Sequence, residues 1–386
     1  MKQKILVTGD GILGRITAIS MNNLGFDVTH GIDEVSSIKK NERYFSINLL
    51  SRDILQNHGI WENISTSEHL PFNKIITWDS LQEEEVCFES KSIGHKNLGF
   101  IIPESVLLAV TLRGEDDLKI RRVTFKDIGL DYQQYLKDQP SINAKNKEFD
   151  YIIRTNSESS REEVSKKSYK VDYNQQAMVL NIKVTQKTSN VAYQKFLPGQ
   201  ILGLLPIDNM TYNLIWSMDT DKIEKIKTYS MKKIQGILSQ ELSEKIGTIS
   251  SISTYNIFPL SGYLYDAEFK GRLINIGSAL HNIHPLAGLG LNLGFQDLFV
   301  LENSITNTDS EITSVTLCAY KNNIRPINKS TYFSINFLKK FYSDITGSKV
   351  LRSMLLQTFN KAGFIKRHAI KAATGCLVKK QFSKKV

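Results

Sequence analysis

The sequence predicts an α/β fold, and three observations indicate it. Residues 4–8 are a short apolar run of strand type, residues 12–24 repeat apolar side chains at helical spacing, and residues 26–29 resume a strand pattern. Strand, turn, helix and strand in this order are typical of a parallel unit. Farther along, residues 177–184 and 201–207 alternate in short runs, which predicts a larger antiparallel or mixed sheet.

The later part of the chain has a different character. Residues after about 331 are predicted to be helical, and four apolar side chains would share one helix face. These side chains are Phe333, Phe337, Phe341 and Ile345. The polar, serine- and lysine-rich residues 137–147 are predicted to form a surface loop.

The length and composition exclude several classes of protein. A chain of 386 residues suggests two to three domains at roughly 100–200 residues each. With 41% hydrophobic and 23% charged residues, the composition is that of a folded protein and not of a disordered or collagen-like one. The most apolar segment, residues 100–112, is interrupted by Pro103, Glu104 and Ser105. We therefore expect no membrane-spanning helix.

The cysteines and the first residues favour a reducing compartment. Residues 1–8 carry neither an apolar signal core nor a cleavage site, so no secretory signal is expected and the cytoplasm is the default location. The three cysteines, Cys87, Cys318 and Cys376, lie far apart and form no CxxC. They are predicted to be free thiols, without disulfides or cysteine-based metal sites.

The first chemical motif follows the first strand. Gly9, Gly11 and Gly14 form a GxGxxG between a strand and a helix, the context in which this pattern binds a dinucleotide. The first glycine permits the turn, the second lets the backbone approach a pyrophosphate, and the third packs the helix on the strand. The alternative is a glycine turn with a purely structural role.

One part of the dinucleotide fingerprint is displaced. A carboxylate that binds the ribose hydroxyls is expected about 20 residues past the glycines. In the register of Gly25 this position is Ile32, which cannot accept a hydrogen bond, whereas Asp33 and Glu34 follow immediately. A slip of one or two residues at the strand end would bring in a carboxylate, and we assign Asp33 to the site.

A second glycine-rich motif spans residues 277–297, with the sequence GSALHNIHPLAGLGLNLGFQD. Pro285 and the glycines after it predict a loop whose backbone can approach a flat ring, followed by a helix at Leu291. Backbone amides at the start of that helix would stabilise negative charge. Metal binding by His281 and His284 lacks a third ligand at a useful spacing. A buried packing loop is the other alternative.

With this motif the sequence resembles a known family. The motif is similar to the pattern GDAAHxxHPxAGQGxNxGxxD of the FAD-dependent aromatic hydroxylases with the p-hydroxybenzoate hydroxylase fold, and specifically of the 2-octaprenyl-phenol hydroxylase family of ubiquinone biosynthesis. Residues 43–61, 98–102, 192–196 and 204–206 also resemble segments of this family in order and spacing. The matching positions of the motif are His281, His284, Pro285, Ala287, Gly288, Gly290, Asn292, Gly294 and Asp297.

The resemblance implies domains that interleave along the chain. A Rossmann-like FAD-binding domain would be joined to a β-sheet substrate domain, with a helical segment after both. The expected FAD-binding domain comprises residues 1–68, 106–168 and 268–330, the substrate domain residues 69–105 and 169–267, and the basic C-terminal segment residues 331–386.

The resemblance also implies an activity. NAD(P)H would reduce FAD, and a flavin hydroperoxide formed with O2 would hydroxylate a polyprenylated phenol or quinol ring in ubiquinone biosynthesis. The cofactor carries the difficult chemistry, whereas the protein positions the ring and excludes water. We assign no catalytic side chain. The cofactor-binding residues that the motifs and the resemblance select are Gly9, Gly11, Gly14, Asp33, Arg43, Gly277, Ser278, Pro285, Ala287, Gly288, Gly290 and Asn292.

Several cofactor-facing positions depart from the family pattern. Asn156 and Ser157 stand in place of an Asp-Gly pair, Ser278 replaces an aspartate expected at the ribityl chain, and Leu289 replaces a glutamine. These changes support a second hypothesis, a flavin-poor pseudoenzyme that acts as a scaffold or lipid-binding partner in the ubiquinone biosynthetic assembly. A third hypothesis, an NAD-dependent dehydrogenase, explains only the first motif.

The formal charge of +10 is concentrated near the C-terminus. Residues 361–386 contain eight lysines and arginines and no acidic residue, and apolar side chains such as Phe364 and Ile365 are interspersed. An amphipathic basic helix would bind an anionic membrane surface, where each basic residue contributes about 1 kcal/mol. The prediction is peripheral contact with the inner face of the membrane, and a solvated basic terminus is the alternative. Nucleic acid is not an expected partner, because no binding signature accompanies the charge.

Overall fold

The computed structural model describes residues 2–32, 42–79, 85–124, 148–156, 168–308, 310–343 and 362–383. In these ranges the chain forms three β-sheets with helices packed around them. The predicted surface loop at 137–147 and the residues Asp33, Ser157 and Ile345 lie outside the described ranges.

The strands, in chain order, are β1 (Lys4–Thr8), β2 (Asp27–Ile32), β3 (Tyr44–Asn48), β4 (Leu70–Phe72), β5 (Lys74–Asp79), β6 (Glu85–Glu89), β7 (Gly99–Pro103), β8 (Arg121–Thr124), β9 (Tyr151–Arg154), β10 (Ser168–Val184), β11 (Val191–Leu197), β12 (Gln200–Asp208), β13 (Thr211–Asp219), β14 (Ile249–Ile252), β15 (Asn256–Tyr265), β16 (Phe269–Lys270), β17 (Leu273–Asn275) and β18 (His281–Asn282). The α-helices are α1 (Ile12–Asn23), α2 (Leu49–Asn57), α3 (Glu104–Asp117), α4 (Thr220–Lys227), α5 (Met231–Ile246), α6 (Gly290–Thr306), α7 (Ser314–Ser343), α8 (Gly363–Ala373) and α9 (Cys376–Ser383).

The first sheet is mostly parallel and has the order β16-β17-β9-β1-β2-β8. Strand β1 is almost entirely buried, as its apolar sequence predicts, and β2 continues to Ile32. Helix α1 ends before Gly25, whose φ of +95° favours glycine. The predicted unit of strand, turn, helix and strand is therefore confirmed, with the second strand longer than expected.

The second sheet is larger and largely antiparallel, with the order β18-β15-β10-β13-β12-β11-β5-β6 and β14 paired to β10. The alternating runs at 177–184 and 201–207 lie within β10 and β12, which confirms the predicted strands. The inward side chains of β10, β12 and β13 pack with apolar residues of α5 around the buried ring of Trp216.

The third sheet has the order β3-β7-β4 and is antiparallel. Its β3 follows directly into α2, where the Asn48 side chain accepts a hydrogen bond from the Ser51 amide at 2.9 Å. This cap fixes the start of α2 beside the loop that precedes α6.

Helix α7 contains residues 331–343 of the predicted helical segment but begins much earlier, at Ser314. Its start is stabilised by two threonines, because the Thr313 hydroxyl accepts from the Thr316 amide at 3.3 Å and the Thr316 hydroxyl accepts from the Thr313 amide at 3.2 Å. Phe333 and Phe337 are exposed on this helix.

Helices α8 and α9 return to the body of the protein. Ile370 of α8 packs with Phe72 and Leu98, and Val378 and Phe382 of α9 belong to the core around the parallel sheet. In the described ranges no helix has both the length and the apolar character needed to cross a bilayer. Cys87, Cys318 and Cys376 are free thiols, as predicted.

Candidate cofactor site

The two glycine motifs lie at the same edge of the parallel sheet. Thr8 at the end of β1 pairs with Arg154 at the end of β9, and Arg154 pairs with Asn275 at the end of β17. The segments that follow these three strands therefore emerge side by side at the carboxyl edge. This edge is where open α/β sheets bind their ligands.

The turn after β1 requires its glycines. Gly9 has a φ of +114°, and a Cβ on Gly14 would overlap the carbonyl oxygen of Gly9. Nothing lies within 4 Å of the position of a Cβ on Gly11, which is exposed. Gly11 is the N-cap of α1, where no side chain caps the helix and no acidic residue occupies the first turn. The first amides of α1 are thus free of side-chain acceptors, which suits an anion.

A single side chain joins the two motifs. A Cβ on Gly277, which has a φ of +58°, would overlap Leu13 Cδ2, and the same methyl group would lie 2.5 Å from a Cβ on Gly294. Leu13 comes directly before Gly14 in the first motif. The second motif therefore packs on the first turn of α1, and larger residues at Gly277 or Gly294 would separate the two.

The loop before α6 provides a second free helix start. A 3₁₀ turn at Pro285–Ala287 ends at Gly288, whose φ is +59°, and α6 begins at Gly290, one residue before the predicted start. No side chain caps α6, and nothing lies within 4 Å of the position of a Cβ on Gly290. The backbone here can approach a flat ligand closely.

Asn292 holds this loop in place. Its amide nitrogen donates to the carbonyls of Ser46 at 2.7 Å and Gly288 at 3.1 Å, and its side-chain oxygen accepts from the Asn48 amide at 2.9 Å and the Ser51 hydroxyl at 2.8 Å. All the hydrogen-bonding atoms of the Asn292 side chain are thereby used within the protein. As placed, Asn292 positions the loop, and only its backbone is available to a cofactor.

His281 is buried and bonded to a carboxylate, with 2.7 Å between its Nε2 and Oδ2 of Asp297. The same oxygen accepts from the Gly277 amide at 2.7 Å, and the other oxygen accepts from Asn328 at 2.9 Å. No metal-binding cluster of three acidic, histidine or cysteine side chains occurs among the described residues. His281 serves to connect the second motif to α6.

His284 makes a separate contact with the large sheet. Its Nε2 lies 3.3 Å from Oε1 of Gln175, whose amide nitrogen donates to Asp219 at 2.9 Å. Because Gln175 presents its oxygen to the imidazole, His284 carries its proton on Nε2. Burial and the nearby Lys339 charge lower the pKa of His284 to about 3, so the imidazole is neutral at physiological pH. Tyr173 packs against this ring with an edge contact at 5.1 Å between centroids.

Two other residues selected from the sequence, Arg43 and Ser278, lie in contacts within the protein. Arg43 pairs with Glu104 through two nitrogens, with 2.8 Å between Nε and Oε2. The Ser278 hydroxyl donates to the Thr155 carbonyl at 3.0 Å. Ile32 ends β2, and Asp33 lies outside the described ranges.

Sequence reasoning did not select Thr155 and Gln175. The Thr155 hydroxyl donates to the Thr8 carbonyl at 2.9 Å beside Gly9. Gln175 contacts His284 and lies next to a register shift in β10, between Asp172 and Gln175. The position of Thr155 directly after a buried strand could have placed it at the carboxyl edge of the sheet. Nothing in the local sequence indicates the shift in β10.

Comparison with known proteins finds relatives along most of the chain. Residues 152–331 match the family model described as "FAD binding domain". The 3-demethoxyubiquinol 3-hydroxylase of Escherichia coli (strain K12) is 23% identical over 392 residues, which covers 96% of this chain and 98% of the relative. These matches indicate an FAD-dependent monooxygenase. The mitochondrial ubiquinone biosynthesis monooxygenase COQ6 of Homo sapiens is also 23% identical, over 96% of this monooxygenase and 92% of COQ6.

The fold of this monooxygenase agrees with that of a solved relative. The structure of PqsL from Pseudomonas aeruginosa in complex with 2-aminobenzoylacetate superposes with a TM-score of 0.72 at 14% identity, covering 93% of this chain and 100% of PqsL. The predicted α/β class and fold are thereby confirmed. The FAD binding domain model and the ubiquinone hydroxylase relatives confirm the prediction of an FAD-dependent enzyme, for which NAD(P)H is the usual reductant.

The residues present in the monooxygenase fit FAD at two places. The free start of α1 at Gly11 suits a pyrophosphate, and the open backbone at Gly288 and Gly290 suits a flat ring that gains negative charge on reduction. Ser278 offers a neutral hydroxyl at the edge between them. The fit rests on backbone groups, whereas the departures from the family pattern are changes of side chain.

Proposed function

We propose that this monooxygenase hydroxylates a polyprenylated phenol or quinol ring in ubiquinone biosynthesis. The observation that carries the proposal is the packing of both glycine motifs on Leu13, which supports a single site for the two ends of one FAD. The names of the relatives, which cover nearly the whole chain, support the choice of substrate.

In this proposal the backbone of the monooxygenase holds the cofactor. Gly9, Gly11 and Gly14 would bind the pyrophosphate, and the segment from Pro285 to Gly290, including Ala287 and Gly288, would lie along the isoalloxazine. Gly277 and Ser278 would approach the ribityl chain, Arg43 would contact the cofactor beside its pair with Glu104, and Asp33 would bind the ribose.

Bound FAD supplies the redox chemistry, because after reduction by NAD(P)H it activates O2 for transfer of one oxygen atom to the ring.

In this proposal the contacts around the second motif hold the cofactor loop rigid during the reaction. Asp297 and Asn292 fix both ends of the loop between β17 and α6, so that its amides are oriented before the cofactor binds. Neutral His284 joins this loop to β10 without placing a charge in the interior. A rigid surrounding of this kind helps to exclude water from the reacting ring.

We also propose peripheral contact with the inner face of a membrane, from which a polyprenylated substrate would be taken. Phe364 and Ile365 at the start of α8 are 73% and 54% exposed, and Lys366 and Arg367 follow them. Exposed apolar side chains beside cations suit an anionic lipid surface. Membership of a ubiquinone biosynthetic complex would be consistent with this location.

The test begins with the absorption spectrum of the purified protein before and after incubation with excess FAD and removal of the unbound fraction. We expect stoichiometric flavin bands. NAD(P)H oxidation should then increase with a polyprenylated phenol, and isotopically labelled O2 should place one labelled oxygen in the product. A folded protein that retains no flavin would contradict the proposal and favour the scaffold hypothesis.

A further inference from the structure

A buried polar cluster lies directly beneath the glycine turn. His30 on β2 and Glu115 on α3 have no exposed surface, and Nδ1 of His30 lies 2.6 Å from Oε1 of Glu115. The other carboxylate oxygen of Glu115 accepts from Arg15 of α1 at 2.9 Å. The cluster therefore links β2, α3 and the helix that follows the glycines.

The free end of this cluster contacts the turn itself. Nε2 of His30 lies 2.9 Å from the carbonyl oxygen of Gly9. Since a carbonyl only accepts, Nε2 carries the proton and donates it to Gly9. The same carbonyl oxygen lies against the α-carbon of Gly14, where a Cβ would overlap it. The Gly9 carbonyl is thus held from two sides.

The orientation of one carbonyl determines the orientation of the next amide. In a planar trans peptide the C=O and N–H point in opposite directions, and the structure contains no cis peptide bond among its described residues. With its carbonyl held inward by His30, the Gly9–Asp10 peptide directs the Asp10 amide away from the core. Asp10 is partly exposed, and Gly11 after it is exposed. The amide therefore faces the side of the turn where an anion can approach.

Stability alone does not explain this cluster. Burying charged groups is costly, and replacing a buried ion pair with apolar side chains of similar volume is often neutral or stabilising. The neighbouring positions Ile5 and Val28 are apolar and fully packed. An apolar residue at position 30 could not donate a hydrogen bond to the Gly9 carbonyl.

We infer that His30, which lies beside Glu115, is a positioning residue that fixes the glycine turn in the orientation in which the Asp10 amide donates to the cofactor pyrophosphate. The inference rests on the proposed role of the glycine turn and adds a residue that neither glycine motif contains.

Two amide substitutions at position 30 separate the two contacts of the imidazole. The side-chain nitrogen of Gln reaches as far as Nε2, so His30→Gln keeps a donor for Gly9. Asn reaches only as far as Nδ1, so His30→Asn keeps a polar group beside Glu115 but loses the donor. His58→Asn is a matched control, because His58 also pairs with a glutamate at 2.8 Å but lies beside Asn23 at the other end of α1.

Hydrogen exchange of the flavin-free protein tests the positioning by itself. Mass spectrometry of peptides covering residues 8–14 should show exchange about tenfold faster in His30→Asn than in His30→Gln, with His30→Gln and His58→Asn close to wild type. Equal exchange in His30→Asn and His30→Gln would overturn the inference. This outcome does not depend on whether the protein binds flavin.

Quenching of flavin fluorescence tests the consequence for the cofactor. The dissociation constant for FAD should rise about tenfold in His30→Asn and less than about threefold in His30→Gln, which corresponds to one hydrogen bond. If wild type binds FAD and both variants bind it equally, the inference is wrong while the proposed function stands. If wild type binds no FAD, the proposed function is wrong, and the exchange data alone decide whether His30 orients the turn.

Discussion

The carboxylate of Asp297 lies 2.7 Å from the imidazole of His281, and both side chains are buried. Through the same carboxylate, α6 also holds the backbone amide of Gly277 and the side chain of Asn328 on α7. One acidic residue therefore joins the second glycine motif to two helices. Its substitution should affect the whole site without removing any group that touches the cofactor.

Replacing Asp297 with Asn should destabilise the protein by about 3 kcal/mol, because an amide group puts a donor where two donors already converge and leaves one of them unsatisfied. The free energy of unfolding measured in urea checks this. Asp117→Asn is the control, since Asp117 is exposed at the end of α3 and its loss should change stability by less than about 0.5 kcal/mol. Equal urea midpoints of unfolding for the two variants would show that Asp297 does not join the second glycine motif to the helices.

Alanine at the two glycines of the first motif should affect two different quantities, stability at Gly14 and FAD affinity at Gly11. Gly14→Ala places a methyl group on the Gly9 carbonyl, so we expect lower stability of the flavin-free protein. Gly11→Ala meets nothing within 4 Å, so stability should be nearly unchanged while FAD affinity falls about tenfold or more, because the methyl group enters the space for the pyrophosphate. Urea unfolding and flavin fluorescence measure the two effects. Wild-type FAD affinity in Gly11→Ala would argue against a pyrophosphate at this turn.

Acid should destabilise the protein partly through His284. Its folded pKa of about 3 lies below the value of about 6.5 in an unfolded chain, so the unfolded state binds the proton first as the pH falls. The destabilisation due to His284 is absent above pH ~6.5, and it grows by up to about 1.4 kcal/mol per pH unit as the pH falls to ~3. His284→Gln keeps a donor for Gln175 and removes the titration. Its stability should therefore fall less steeply than that of wild type between these pH values, and parallel curves would exclude this role.

The proposed membrane contact can be tested by changing two side chains. Phe364→Ser with Ile365→Ser should lower binding to anionic phospholipid vesicles about tenfold, since two apolar anchors are lost. Val315→Ser is the control, because Val315 is 66% exposed on α7 in a segment without the basic cluster. Substitution is preferable to truncation, which would remove the buried Val378 and Phe382. Unchanged vesicle binding in the double variant would exclude α8 as the contact.

The sequence was informative where a pattern is local. The apolar run before Gly9, the helical spacing up to Gly25 and the alternation in β10 and β12 each depend on neighbours along the chain, and the structure has them as predicted. The resemblance also led to the correct fold, cofactor and class of enzyme.

The contacts that connect distant segments could not be predicted in this way. The contact of His30 with Gly9 depends on the packing of β2 under the turn, and the contact of Gln175 with His284 depends on an irregular register in β10. The position of His30 within an apolar strand did indicate that it has hydrogen-bond partners, since a buried histidine needs them. It did not indicate that Gly9 is one of them. The use of the Asn292 side chain as a clamp, with none of its polar atoms left for the cofactor, required the positions of β3 and α2.

The return of α9 to the core has a consequence for how the protein is made. Ile5 of β1 and Phe382 of α9 belong to one apolar cluster, although nearly the whole chain separates them. Because domains usually fold as units during synthesis, the parallel sheet would leave the ribosome with part of its apolar surface uncovered until the residues of α9 have been made. Contacts between such distant segments also slow folding. Chaperones that bind exposed apolar segments should therefore associate with this chain before α9 is made and release it when α9 docks.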